Sequence, residues 1–135
     1  PQKIQKLRTK TSSSQGLRLP PKAASFMEEK MKEIADGNFT ESIKDGITLV
    51  DFYANWCMPC LRMQSQVESF QEANPNVNVF KYDVDKGVNI WSNVKEQFQI
   101  RSIPFVVIYK NGEVATSAIG YKTADQLQEI LDNIQ

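Results

Sequence analysis

A single Cys-x-x-Cys motif follows a nearly continuous apolar run, and this junction restricts the possible folds more than any other feature. The run at 47–54 is typical of a central strand covered on both faces, and Cys57 and Cys60 are the only two cysteines in the chain. Their spacing places the first thiol at the N-terminus of the next helix, where the helix dipole favours the thiolate. Pro59 fits the first helical turn, because its missing N–H costs no hydrogen bond there. The sequence therefore predicts a strand, a turn and a helix that present a reversible disulfide.

Inert explanations of the cysteine pair are weaker than a redox explanation. Structural zinc usually needs four Cys or His ligands, whereas this chain has no histidine and no third cysteine. A zinc ion or an iron–sulfur cluster shared across a dimer stays open as an alternative. A purely structural disulfide across so short a loop would restrict the unfolded chain little. We therefore expect redox chemistry by the thiols themselves, with no metal and no cofactor bound.

Charge divides the chain into two segments. Residues 1–22 carry six Lys or Arg and no acid, and the remaining 113 residues carry ten basic and sixteen acidic side chains. We expect 1–22 to be a disordered basic tail and 23–135 to be one compact domain. A solvated tail without its own function is favoured over a tail that attracts an acidic partner or an anionic surface. We expect no nucleic-acid partner.

Hydrophobic periodicity predicts alternating helices and strands after the tail. The predicted helices lie at 24–35, 38–44, 58–73, around Trp91 to Phe98, and after a capping box at 123–126. The predicted strands lie at 47–54, 77–82, 105–109 and 113–119, the last two joined by an Asn111-Gly112 hairpin turn. Two parallel crossovers followed by a hairpin predict an α/β fold with a central mixed sheet and helices on both faces.

The segment 49–60, which reads L-V-D-F-Y-A-N-W-C-M-P-C, resembles the active-site strand and turn of thioredoxins. Matches continue in register at 81–85, 100–104, 110–114 and Gly120. The similarity covers about residues 30–135. It implies the thioredoxin fold, a mixed β-sheet flanked by helices on both faces, here with a basic N-terminal extension.

The resemblance also implies a set of catalytic residues. Cys57 would attack a substrate disulfide as the nucleophile, and Cys60 would resolve the mixed disulfide. Asp51 lies at an inward position of an apolar strand, where burial should raise its pKa and suit it to accept the proton of Cys60. Lys81 would tune the ionisation of Asp51. The alternatives are a carboxylate satisfied by backbone N–H groups for Asp51 and a plain surface lysine for Lys81.

A substrate groove is the second implication of the resemblance. The residues expected to line it are Trp56, Met58, Pro59, Ile103, Pro104 and Gly120. Pro104 should follow a cis peptide bond, keep metals away from Cys57 and leave the Ile103 backbone free for strand-like hydrogen bonding to substrate.

Four positions depart from the usual family pattern. Met58 stands where a glycine is common between the cysteines, which adds apolar bulk and can shift the redox potential. Ser65 stands where a proline commonly kinks the helix. The segment 85–104 is longer than in typical members. The family usually has a first strand near 30–35, where the local periodicity predicts a helix.

These features together predict a monomeric thiol–disulfide oxidoreductase that reduces protein disulfides and receives electrons from a separate reductase. Ile103 before the proline fits the reducing branch of the family by analogy. A disulfide oxidase or isomerase in an oxidising compartment is one alternative, and a non-catalytic docking module is another. We expect a cytoplasmic location, with export after removal of a targeting segment as the alternative.

Overall fold

The computed structural model describes residues 31–135, so the predictions for the basic tail 1–22 and for a helix over 24–30 lie outside the described residues. The strands of the described part are β1 (Lys32–Ile34), β2 (Ile47–Tyr53), β3 (Asn78–Asp83), β4 (Phe105–Lys110) and β5 (Glu113–Ile119). Its α-helices are α1 (Phe39–Ile43), α2 (Met58–Ala73), α3 (Asn89–Phe98) and α4 (Ala124–Asp132), with a 3-10 turn at Asp36–Asn38 before α1.

One mixed sheet holds all five strands, in the order β1-β3-β2-β4-β5. β1, β3 and β2 run parallel, β4 runs antiparallel to β2, and β5 runs antiparallel to β4. Apolar side chains of α2 and α4 cover one face, and those of α1 and α3 cover the other. The predicted α/β class, with a mixed sheet and helices on both faces, is confirmed.

The first strand corrects a prediction. The helix expected over 24–35 is wrong in its described part, because Lys32–Ile34 form β1 and pair with β3. Ile34 is buried there, while Lys32 and Glu33 stay exposed. β1 satisfies backbone groups along one edge of β3, and this pairing outweighs the local helical periodicity.

Two local signals at the end of the chain are confirmed. Asn111 and Gly112 both have positive φ angles, 52° and 88°, as a two-residue hairpin turn requires. The Gly46 N–H donates to Asn111 Oδ1 at 2.9 Å, which ties this turn to the start of β2. Thr123 and Gln126 form the predicted capping box, with hydrogen bonds of 3.2 and 2.8 Å that begin α4.

The N-terminus of α3 is fixed by one carboxylate. Asp36 accepts hydrogen bonds from the Tyr82 hydroxyl at 2.6 Å and from the backbone N–H groups of Asn89 at 3.0 Å and Ile90 at 3.1 Å. The bond from Tyr82, followed by the backbone bonds, holds the pKa of Asp36 below its usual value despite some desolvation. Gly87 lies against the ring of Tyr82, where an added Cβ would come within 2.5 Å. The segment 85–104 is therefore anchored near its start, and half of it forms α3.

No helix within residues 31–135 combines the length and the apolar character that crossing a bilayer requires.

Candidate active site

The two cysteines form a disulfide at the start of α2, with their Cα atoms 5.3 Å apart. Cys57 is the N-cap residue, and the Cys60 N–H donates to Cys57 Sγ at 3.2 Å. Cys57 retains 5% of its surface exposed, whereas Cys60 is completely buried. An N–H aimed at sulfur and the positive end of the helix both favour a negative charge on Cys57 once the pair is reduced. Of the two cysteines, only Cys57 therefore retains surface that solvent can reach.

The turn before the cysteines is set by the end of β2. The Cys57 N–H donates to the Ala54 carbonyl at 3.2 Å, and the Val84 N–H donates to the Tyr53 carbonyl at 2.9 Å. Tyr53 and Ala54 are buried in one cluster with both cysteines. The end of β2 and the residue after β3 therefore support the turn that carries the disulfide.

A second segment approaches the disulfide from the side. The peptide bond between Ile103 and Pro104 is cis, and Cys57 Sγ lies 3.9 Å from the Ile103 carbonyl oxygen. The Gly120 N–H donates to the Pro104 carbonyl at 2.8 Å, which brings the end of β5 to the start of β4. Ile103 thus lies beside Cys57, and Gly120 lies against Pro104, although these residues are far apart in sequence.

Asp51 is a buried carboxylate with no hydrogen bond from any described residue. Asp51 is two residues from both Leu49 and Tyr53 along β2, so all three side chains lie on the same face of the sheet, the face that α2 covers. Burial raises the pKa of Asp51 to about 7, against the opposing positive charge of Lys81. The alternative of a carboxylate satisfied by backbone N–H groups is wrong, because no residue within 31–135 donates a hydrogen bond to either of its oxygens.

Lys81 lies on β3 directly beside Asp51 in the parallel register. It is partly buried, and its Nζ lies 5.4 Å from the centroid of the Tyr53 ring. The Tyr53 hydroxyl donates to Glu33 Oε2 at 3.3 Å, so β1 contributes to this corner of the site. The positive charge of Lys81 lowers the pKa of Asp51 and so opposes the effect of burial.

The rim of the site is exposed and apolar. Trp56 and Met58 have 69% and 58% of their surfaces exposed, and Pro59 is exposed beside them. Trp56 Nε1 donates to Asp85 Oδ2 at 2.8 Å, which fixes the indole against the turn after β3. A large apolar side chain held in solvent at a reactive group is suited to contact a partner.

Two acids in that turn help to build the site, and sequence reasoning did not single them out. Asp83 is 3% exposed and accepts hydrogen bonds from the Asp85 N–H at 2.9 Å and from Asn55 Nδ2 at 3.5 Å. Asp85 in turn holds Trp56. Both acids fall in the segment 81–85 that carries the resemblance, but nothing in their spacing indicates what they bind.

Comparisons with known proteins agree with this geometry. Residues 30–133 match the sequence model of the Thioredoxin family. Thioredoxin of Staphylococcus haemolyticus is 32% identical over 101 residues, which cover 74% of this chain and 93% of that protein. Thioredoxin of Listeria monocytogenes is 34% identical over 103 residues, covering 76% and 96% respectively. A solved mutant thioredoxin from Halobacterium salinarum has a TM-score of 0.66 over 78% of this chain and 91% of its own, and at 23% identity it supports the fold alone.

Proposed function

This chain belongs to the thioredoxin family and is a thiol–disulfide oxidoreductase that reduces protein disulfides, and we propose that Cys57 is its nucleophile and Cys60 its resolving thiol. The observation that carries this assignment is their unequal placement. Cys57 caps a helix, receives an N–H at 3.2 Å and keeps some exposure, whereas Cys60 lies completely buried behind it.

The first step is an attack by the Cys57 thiolate on one sulfur of a substrate disulfide. A bond forms between Cys57 Sγ and that sulfur, and the other substrate sulfur leaves as a thiolate. The Ile103 carbonyl, 3.9 Å from Cys57 Sγ, lies where an extended substrate backbone can donate a hydrogen bond. The step consumes no external oxidant or reductant, because the disulfide is exchanged rather than broken by added electrons.

The second step closes the disulfide of the chain. Cys60 loses its proton, attacks Cys57 Sγ and releases the second substrate thiolate, so one dithiol has become a disulfide and one disulfide a dithiol. We propose Asp51 as the acceptor of that proton, directly or through water. Its pKa of about 7 suits a group that must take up and release a proton near neutral pH. Lys81 is a positioning residue that keeps this pKa from rising further.

The exposed rim supports a role in substrate binding. Trp56, Met58, Pro59, Ile103, Pro104 and Gly120 form the proposed contact surface for the chain around a substrate disulfide. A separate reductase would return the active-site disulfide to the dithiol. We propose that the chain acts as a monomer in the cytoplasm.

Catalysed reduction of a protein disulfide tests the proposed function. With dithiothreitol as reductant, the purified chain should accelerate reduction of insulin well beyond dithiothreitol alone. A chain whose own disulfide cycles normally but that gives no acceleration would favour the docking-module alternative. Faster oxidation of a reduced, unfolded protein than reduction of insulin would favour the oxidase alternative.

A further inference from the structure

A depression lies between Trp56, which directly precedes Cys57, and α3. Its volume is about 320 Å³, and we call it the lateral groove. The lining residues used in the argument are Trp56, Asp85, Val88, Lys95, Arg101 and Ile103. α3 and the residues on either side of it supply most of this lining.

The lateral groove is lined by two residues that adjoin Cys57. Trp56 directly precedes Cys57, and the Ile103 carbonyl lies 3.9 Å from Cys57 Sγ. Both residues also line the groove. A substrate segment whose sulfur reaches Cys57 and whose backbone pairs with Ile103 therefore extends its neighbouring residues over the groove.

Positive charge dominates the lining of the groove. Lys95 lies with its Nζ 5.8 Å from the Trp91 ring centroid, and neither Lys95 nor Arg101 forms an ion pair with any residue in 31–135. The opposing carboxylate in the lining is Asp85, which already accepts the hydrogen bond of Trp56. Glu96 lines a neighbouring depression that Lys95 and Arg101 also border. The groove thus carries two cations against one acid.

This local charge is opposite to that of the domain around it. Residues 31–135 contain fourteen Asp or Glu and nine Lys or Arg. Two cations without an ion pair among residues 31–135, in a groove that Trp56 and Ile103 also line, are therefore a specific feature of this surface. Val88, with 62% of its surface exposed, adds an apolar contact in the same groove.

We propose that the lateral groove selects protein disulfides that are flanked by an acidic side chain. The acid would lie against Lys95 and Arg101, and an apolar neighbour of the substrate cysteine would contact Trp56 and Val88. This inference rests on the proposed function and deepens it by naming the substrate class. The two cations act through charge complementarity, which selects among partners and speeds their encounter.

Paired peptide substrates test the charge preference. Two otherwise identical disulfide peptides carry either Asp or Asn near one cysteine, and kcat/KM is measured for each with dithiothreitol as the final reductant. The Asp peptide should be reduced roughly threefold to tenfold faster, as expected for two partly exposed ion pairs. The preference should shrink at high salt, because exposed charges are screened.

Charge variants assign the preference to the groove. The double variant Lys95→Gln with Arg101→Gln should bring the ratio of kcat/KM for the Asp peptide to that for the Asn peptide close to one. Arg101→Glu alone should lower this ratio below the wild-type value. Lys110→Gln is the matched control, since Lys110 is exposed at the end of β4 that pairs with Ile47, away from Pro104. It should leave the ratio unchanged.

The outcomes separate the two proposals. An equal rate for both peptides with the wild-type chain, or an unchanged ratio in the double variant, would overturn the acidic-substrate inference while leaving the reductase function intact. Failure of the wild-type chain to reduce even the Asn peptide or insulin would instead count against the proposed function.

Discussion

Replacement of Cys57 by serine should lower kcat/KM for protein-disulfide reduction by at least about a thousandfold. Serine has nearly the same size, so the helix cap can persist, but a hydroxyl is not ionised near neutral pH and cannot form a mixed disulfide. Insulin reduction with dithiothreitol measures this loss. Thermal unfolding of the reduced wild-type chain and of the variant shows whether the fold is retained.

Cys60→Ser is the matched counterpart of that variant. The nucleophile stays in place, whereas the buried group that releases the substrate is removed. We therefore expect the variant to react once and to accumulate as a covalent mixed disulfide, visible by mass spectrometry and reversed by excess dithiol. Trapping by Cys57→Ser instead of Cys60→Ser, or full turnover by either variant, would contradict the assigned order of the two thiols.

Asp51→Asn should slow resolution of the mixed disulfide by about a hundredfold, because the proton acceptor for Cys60 is lost. The first attack by Cys57 should change much less, so a quenched time course should show the mixed disulfide accumulating. In the wild-type chain the resolution rate should rise with pH through the Asp51 pKa of about 7. This rise, which we call the kinetic break, should be absent in the variant.

The same residue should make stability depend on pH. Its pKa is about 7 in the folded chain, against an unfolded value near 3.9. Between these two pH values the native state keeps a proton that the unfolded state loses. The contribution of Asp51 to the free energy of unfolding is therefore fully present below about pH 4 and is lost as the pH rises to about 7. A shift of this size corresponds to a loss on the order of 4 kcal/mol. Urea unfolding of the oxidised chain at pH 4 and pH 8 should show this loss in the wild type and little of it in Asp51→Asn.

Two further variants separate the buried carboxylate from general charge effects. Asp45→Asn removes an exposed acid just before β2 and should reproduce neither the kinetic nor the stability change. Lys81→Met should move the kinetic break to higher pH, because the Lys81 charge lowers the pKa of Asp51. If Asp51→Asn and the wild type have parallel stability profiles between pH 4 and pH 8, the raised pKa and the proton role both fail.

Local signals accounted for most elements of the fold. The apolar run at 47–54, the Asn111-Gly112 turn and the Thr123–Gln126 capping box each act over a few residues, and each appears in the structure. β1 was misread because its strand conformation depends on pairing with β3, about fifty residues away. Periodicity within a short segment carries no information about such a partner.

The features of the candidate site also fall into two groups, those that local sequence predicts and those that depend on tertiary packing. The cysteine pair and the buried position of Asp51 follow from the motif and from the apolar strand that holds it. The place of Ile103 and Pro104 beside Cys57 came from the resemblance, since no local pattern brings residues 57 and 103 together. Contacts such as the Trp56 bond to Asp85, and the cations of the lateral groove, depend on how the segment 85–104 packs across the sheet. Those contacts needed the structure.

The reduction potential of the Cys57–Cys60 pair tests the central claim most directly. Equilibration of the full chain against glutathione or dithiothreitol buffers, with the dithiol and disulfide forms counted by alkylation and mass spectrometry, gives this value. A reductase should have a potential near the value of about −270 mV that is found for thioredoxin, with Met58 causing only a modest shift. A potential between about −120 and −180 mV, as disulfide-forming and isomerising proteins have, would contradict the assignment as a reductase.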